Sequence, residues 1–210
     1  MMKVLLFLNG TAPGLNLLKG YLNEKAFIIS ADGASNYLKR FGVLPDLIIG
    51  DLDSISKSTF DYYIEKKVEI IKSADQDTTD FEKCLRYCIR KRLKHITVFG
   101  AISGRPDHTL NNFSVLERFY SRLNVKIISE EYETFFINKK ISFRYKINET
   151  VSLLALPKAG GIVTSGLQYP LNNESLEFGV REGTLNKSTS KKVTVAFRSG
   201  SLLLFKKHFI

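Results

Sequence analysis

A chain of 210 residues is long enough for one large domain or two small ones, and its 44% hydrophobic and 25% charged content is that of an ordinary soluble globular protein. No apolar run approaches the roughly 20 residues of a membrane span, and Val4–Leu8 is too short for a leader and ends in Asn9-Gly10, so the expectation is a cytoplasmic protein with no membrane partner. The net charge of +10 suits an anionic partner, nucleic acid or nucleotide; the dispersed basic residues form no aromatic-studded stripe of the single-strand-binding type, so no nucleic-acid partner is expected.

In chain order, apolar runs that read as buried strands alternate with helical patterns. Val4–Leu8 is followed by a crossover at Leu15–Leu22, Phe27–Ser30 by a helix at Ala34–Phe41, and Leu47–Gly50 by one at Ser58–Lys66. Glu69–Lys72 precedes a helix at Thr79–Lys91, Ile96–Gly100 one at Thr109–Arg122, and Val125–Ser129 closes the series. This alternation predicts βαβ units, hence an α/β fold with a mostly parallel sheet flanked by helices. After about Asn138 the pattern changes to short strand candidates, Ile141–Tyr145, Val151–Ala155, Ser175–Phe178, Val193–Phe197 and Ser201–Phe205, separated by Gly, Asn, Pro and Ser. We therefore expect an α/β domain over 1–138 and a smaller all-β sandwich over 139–210.

Cys84 and Cys88, four apart on one helical face with Phe81 and Leu85, read as buried thiols. His95, His108 and His208 are scattered and give no metal-ligand spacing. The basic residues Lys83, Arg86, Arg90, Lys91, Arg92 and Lys94 interleave with apolar positions and read as a solvated outer face.

Polar clusters follow four of the predicted strands: Asp32-Gly33-Ala34-Ser35, Asp51-Leu52-Asp53-Ser54, Asp75 to Asp80, and Ser103 to His108. In a parallel sheet these loops gather at the carboxyl edge, where ligands bind. Asp51 and Asp53, two apart at a strand end, point the same way if the strand alternation continues. Such crowded carboxylates call for Mg²⁺ carrying phosphates, or else the pair is simple Gly-Asp and Asp-Ser turn chemistry. Asp77 or Thr78 is positioned to cap the next helix, which accounts for one acid there but not for three in six residues. Pro106 suits a first helical position, Arg105 can fork onto a phosphate, and Asp107 can cap the helix or orient a ligand group. No Walker-type loop, G-x-G-x-x-G spacing or nucleophile elbow is present.

Taken together, Ala31-Asp32-Gly33-Ala34, Pro45 to Ser54, Asp77-Thr78-Thr79-Asp80 and Gly104-Arg105-Pro106-Asp107-His108 resemble the thiamine pyrophosphokinase family, in order and approximate spacing. In the second half Thr164 to Leu171 and Gly183 to Asn186 look like that family's thiamine-side segments. The resemblance implies an α/β domain followed by a β-sandwich, a homodimer with its active site at the subunit interface, and transfer of the pyrophosphoryl group of ATP to the thiamine hydroxyl. It also implies Asp51, Asp53 and Asp80 as holders of Mg²⁺ and the ATP phosphates. Asp32, Gln76, Asp77 and Thr79 would be further active-site positions, with Arg105 and Asp107 a substrate-loop pair. Ser165, Tyr169 and Asn186 would lie on the thiamine side. The chain departs from the family pattern at Asn9-Gly10 and Ser103-Gly104, where paired glycines are usual, and at Leu185, where serine is common. Competing readings are a pyrophosphokinase for another hydroxymethyl compound, a glycosyltransferase using Asp-x-Asp, and a basic nucleic-acid-binding module.

Overall fold

A computed structural model describes residues 2–23, 25–75 and 77–209, which divide into two compact units, 1–130 and 131–209. In the first unit strands β1 (Lys3–Phe7), β2 (Ala26–Ala31), β3 (Leu47–Gly50), β4 (Glu69–Lys72), β5 (His95–Phe99) and β6 (Asn124–Ile128) alternate with helices. The helices are α1 (Leu15–Leu22), α2 (Ala34–Arg40), α3 (Lys57–Glu65), α4 (Asp80–Arg90) and α5 (Pro106–Phe119). The six strands run parallel in the order β4-β3-β2-β1-β5-β6. Val4, Leu5, Leu6 and Phe7 are all 3% exposed or less, so β1 is covered on both faces, as a central parallel strand must be. One face packs Leu5, Phe7 and Phe99 against Leu17 and Leu18 of α1 and Tyr37 and Leu38 of α2. Cys84 and Cys88 are buried in α4, as their helical spacing predicts.

Strand order is what positions the site. The connection from β1 runs to β2 on one side, while β5 pairs on the other, so the order reverses at β1. The loops that follow β1 and β5 diverge there and leave a crevice at the carboxyl edge.

The second unit contains β7 (Tyr132–Phe136), β8 (Lys140–Arg144), β9 (Thr150–Ser165), β10 (Asn172–Glu177), β11 (Gly183–Lys187), β12 (Lys192–Ala196) and β13 (Ser199–Lys207). All its ladders are antiparallel. Pairing over the whole chain is therefore mixed, and "mostly parallel" describes the first unit alone; short turns reverse the chain in the second, which only antiparallel pairing accepts. Its strands follow one hydrogen-bonded path, β7-β13-β9-β12-β8, with β10 and β11 also pairing with β9. The register shifts at bulges in the β10, β11 and β13 ladders let the 16-residue β9 curve around a single core of Val151, Leu153, Ala155, Ile162, Val193 and Leu204. No helix among the described residues is long and apolar enough to cross a membrane.

Candidate active site

Four strand ends and two helix starts build a cleft of about 590 Å³ in the first unit, lined among others by Asn9, Asp51, Thr79, Asp80, Lys83 and Asp107. Its lining includes the acids Asp51, Asp75, Asp80 and Asp107. Asp32, Asp51 and Asp80 each bring a carboxylate oxygen within 4.8 Å of the others. The three come from different elements: Asp32 follows β2, Asp51 follows β3 and Asp80 opens α4.

Close strand packing makes this possible. Gly50 ends β3 beside Asp32, and a side-chain carbon there would stand 2.6 Å from the Asp32 Cβ. Asp32 is 1% exposed, and its two oxygens accept the Ser54 and Ile55 N–H groups at 3.0 and 3.1 Å. Burial nevertheless dominates and pushes its pKa up to about 6, with the charges of Asp80 and Asp51 adding to the rise. Burial also raises the Asp80 carboxyl, against a hydrogen bond from Lys83 Nζ at 3.1 Å. Asp51 behaves differently: burial pushes it up, but hydrogen bonds with Asp53 and the Lys83 charge outweigh that and hold it below the ordinary value. An oxygen-only donor set of three crowded acids, two of them resisting ionisation, is chemically suited to a hard divalent cation such as Mg²⁺.

The alternation expected of Asp51 and Asp53 does not occur. β3 stops at Gly50 and Leu52 adopts a left-handed φ of 69°, so the pair lies in a turn, where period-two geometry has no force. Asp53 is exposed; its N–H donates to Asp51 Oδ1 at 3.3 Å and its carboxylate accepts Ser54 Oγ at 2.8 Å. It stands outside the group of three, yet its charge still raises Asp80.

The start of α4 also differs from expectation. Its N-cap is Thr79, whose Oγ1 accepts the Glu82 N–H at 3.3 Å, and neither Asp77 nor Thr78 caps it. Asp75 instead organises that loop, accepting the Asp77 N–H at 2.9 Å and the Thr78 hydroxyl at 2.6 Å. Asp77 is exposed, and Gln76 lies outside the described residues. At α5 Pro106 takes the first turn as expected, but Asp107 makes no cap; it grips Arg105 through two hydrogen bonds of 3.2 and 2.6 Å. That guanidinium holds the Asp107 carboxyl below its usual value. Arg105 is itself exposed beside the cleft, so the pair presents an oriented cation to solvent.

Two contributors escape a motif reading. Lys83 lies on the stripe expected to face solvent, but its side chain is 7% exposed. Spacing held the signal, since Lys83 is one turn after Asp80 and must share its face. Asn9 lines the cleft and packs against Gly33, where a side-chain carbon would stand 2.6 Å from Asn9 Cγ. No sequence pattern marks that contact.

In the second unit the two suspected thiamine-side segments lie side by side: Gln168 N–H donates to Lys187 O at 2.8 Å, and Leu167 bridges Ser188. Asn186, 7% exposed, clamps the backbone of Tyr169 from both ends of its amide, accepting the Tyr169 N–H at 3.0 Å and donating to Tyr169 O at 2.7 Å. The Tyr169 ring is left projecting, 65% exposed, and Leu185 is 79% exposed in a left-handed conformation of φ 58°. Ser165 ends β9, exposed, opposite Thr194.

Residues 18–129 match the family model described as thiamin pyrophosphokinase, catalytic domain, and residues 138–202 the one described as thiamin pyrophosphokinase, vitamin B1 binding domain. The chain is 35% identical to Thiamine pyrophosphokinase 1 of Arabidopsis thaliana over 167 residues, 72% of this chain and 61% of that protein. It is 33% identical to Thiamine pyrophosphokinase 1 of Oryza sativa subsp. japonica over 175 residues, 77% of this chain and 65% of that one. The matched region thus spans somewhat less than two thirds of either relative. The crystal structure of thiamine pyrophosphokinase from Bacillus subtilis superposes with a TM-score of 0.87 at 21% identity, covering 99% of this chain and 100% of that one, a likeness of fold. With both family models matched in order, the chain belongs to the thiamin pyrophosphokinase family.

Proposed function

We propose that this protein transfers the pyrophosphoryl group of ATP to the hydroxyl of thiamine, giving thiamine diphosphate and AMP. The observation that carries the reading is the group of three carboxylates, Asp32, Asp51 and Asp80, of which Asp51 and Asp80 line a cleft that Asp107 of the Arg105–Asp107 pair also lines, in a chain of this family.

Asp51 and Asp80, with Asp32 beside them, would hold Mg²⁺, and Asp53 adds its charge to the same field. When bound, the cation supplies neutralisation of charge on the phosphate oxygens. The protein's remaining task is positioning. Arg105, steered by Asp107, clamps a phosphate oxygen, and Thr79 lines the phosphate side of the cleft. The thiamine oxygen bonds to the β-phosphorus, the bond from that phosphorus to the oxygen of the α-phosphate breaks, and the hydroxyl proton must go to a base. Asp107 has both oxygens engaged by Arg105, whereas the Asp77 carboxylate has no hydrogen-bond partner among the described residues, so we assign the proton to Asp77.

Residues 1–138 would form the ATP and Mg²⁺ domain and 139–210 the thiamine domain, with Tyr169 stacking on thiamine and Ser165, Asn186 and Gln76 completing the contacts. We take the enzyme to work as a homodimer, with its active site at the subunit interface, in the cytoplasm.

The test is incubation with ATP, Mg²⁺ and thiamine, scored for nucleotide product. AMP is expected, and ADP would refute pyrophosphoryl transfer. Asp51→Asn should lower turnover at saturating Mg²⁺ by roughly 100-fold or more while shifting unfolding by less than about 1 kcal/mol. Wild-type turnover in that variant would remove Asp51 from the site.

A further inference from the structure

Beside the acidic cleft lies a second, smaller cavity of about 140 Å³ with the opposite charge. Lys83, Arg86 and Arg90 line it at positions i, i+3 and i+7 of α4, a single helical face. Asp75, Thr78 and Lys83 line both cavities, so the two are contiguous. Among the described residues Asp75 is the one acid in the smaller cavity's wall, and both its oxygens are engaged by its own loop.

The three cations differ in what occupies them. Lys83 is an ammonium almost wholly withdrawn from water, yet among the described residues it donates only to Asp80. Two of its three N–H groups thus lack a partner, which is costly for a buried charge unless a ligand answers them. Arg86 gives Nε and one Nη2 hydrogen to Glu82, itself shared with Arg118, and its Nη1 makes no hydrogen bond among the described residues. Arg90 has no carboxylate partner among the described residues and only skirts the Tyr87 ring. A small, cation-lined cavity with unspent donors, next to an acidic metal-type site, matches a tetrahedral phosphate in size and charge.

We propose that Lys83, Arg86 and Arg90 form a phosphate subsite that takes the terminal phosphate of the donor nucleotide, so that this stripe selects triphosphates over shorter donors. The assignment rests on the pyrophosphoryl-transfer reading. The outer phosphate of the transferred pair sits among the cations, while its inner neighbour lies by the Asp51 and Asp80 carboxylates.

Inorganic phosphate, titrated calorimetrically into the protein without nucleotide, tests the subsite directly. Wild type should bind it, and Arg90→Gln should weaken binding and raise the KM for ATP by about ten-fold, leaving the KM for thiamine unchanged. Arg90→Lys should recover part of both effects, and Lys94→Gln, which removes one charge beyond the helix, should change neither. Equal phosphate binding by wild type and Arg90→Gln overturns the proposal, as does lost phosphate binding with an unaltered KM for ATP. Absence of AMP release by wild type would fall on the transfer reading, whereas the phosphate titration reports on the cavity alone.

Discussion

Replacing Asp32 by asparagine should change the way pH acts on the stability of the first unit. Asp32 is buried and titrates at about 6 instead of 3.8, because burial opposes its charge more than the Ser54 and Ile55 N–H groups support it. A carboxyl whose pKa is higher folded than unfolded binds its proton more tightly in the folded state. Its contribution is therefore complete below pH 3.8 and is lost as pH rises through about 6. A shift of about 2 units, at about 1.36 kcal/mol each, amounts to roughly 3 kcal/mol. The substituted amide cannot ionise, but it offers one acceptor to two N–H groups, which costs about 1–2 kcal/mol. At about pH 8 without metal the variant should thus exceed wild type by about 1–2 kcal/mol, and at about pH 4.5 it should lose that advantage. Urea unfolding followed by circular dichroism in EDTA measures both. A wild-type-to-variant difference that stays constant across this range would refute the reasoning.

Gly50→Ala should destabilise the first unit by about 1–3 kcal/mol, because the new carbon meets the Asp32 Cβ at 2.6 Å and neither strand end can yield; an unchanged urea midpoint would count against the close approach of β3 and Asp32. Asn186→Ala should release the Tyr169 backbone and leave the Tyr169 and Lys187 N–H groups without their acceptor. The expected result is a KM for thiamine raised about ten-fold with the KM for ATP unmoved, and equal shifts in both would show that Asn186 serves general stability instead.

Elements whose burial follows from local pattern were legible in the sequence. Leu47–Gly50, Glu69–Lys72 and Leu15–Leu22 are found at the residues their patterns predict, and the other strands and helices of the first unit lie within three residues of expectation at each end. β9 was not legible in full. Val151–Ala155 alternates cleanly, but Pro157, Gly160 and Gly161 read as breaks, although the strand runs through them by interrupting its β13 ladder between Ala155 and Ala159. β7, with Phe135 and Phe136 adjacent, has no clean alternation, and Gly183–Lys187 holds no apolar run at all. In the site, residue types were readable and directions were not. The left-handed Leu52 turns Asp53 out of the strand geometry that a two-residue spacing suggests. Asp32 enters the carboxylate group only because β2 and β3 are neighbours joined in parallel, a long-range fact.

The order of strands in the second unit also bears on how the chain acquires its structure. β13, the last strand in sequence, lies between β7, the first of that unit, and β9. Until Ser199–Lys207 arrives, β7 and the 151–160 side of β9 each present an open edge with apolar residues behind it. The first unit needs no such late arrival, because its six strands are complete by Ile128. Assembly of the chain therefore has an ordered first half and a second half that stays sticky until its final strand closes the gap.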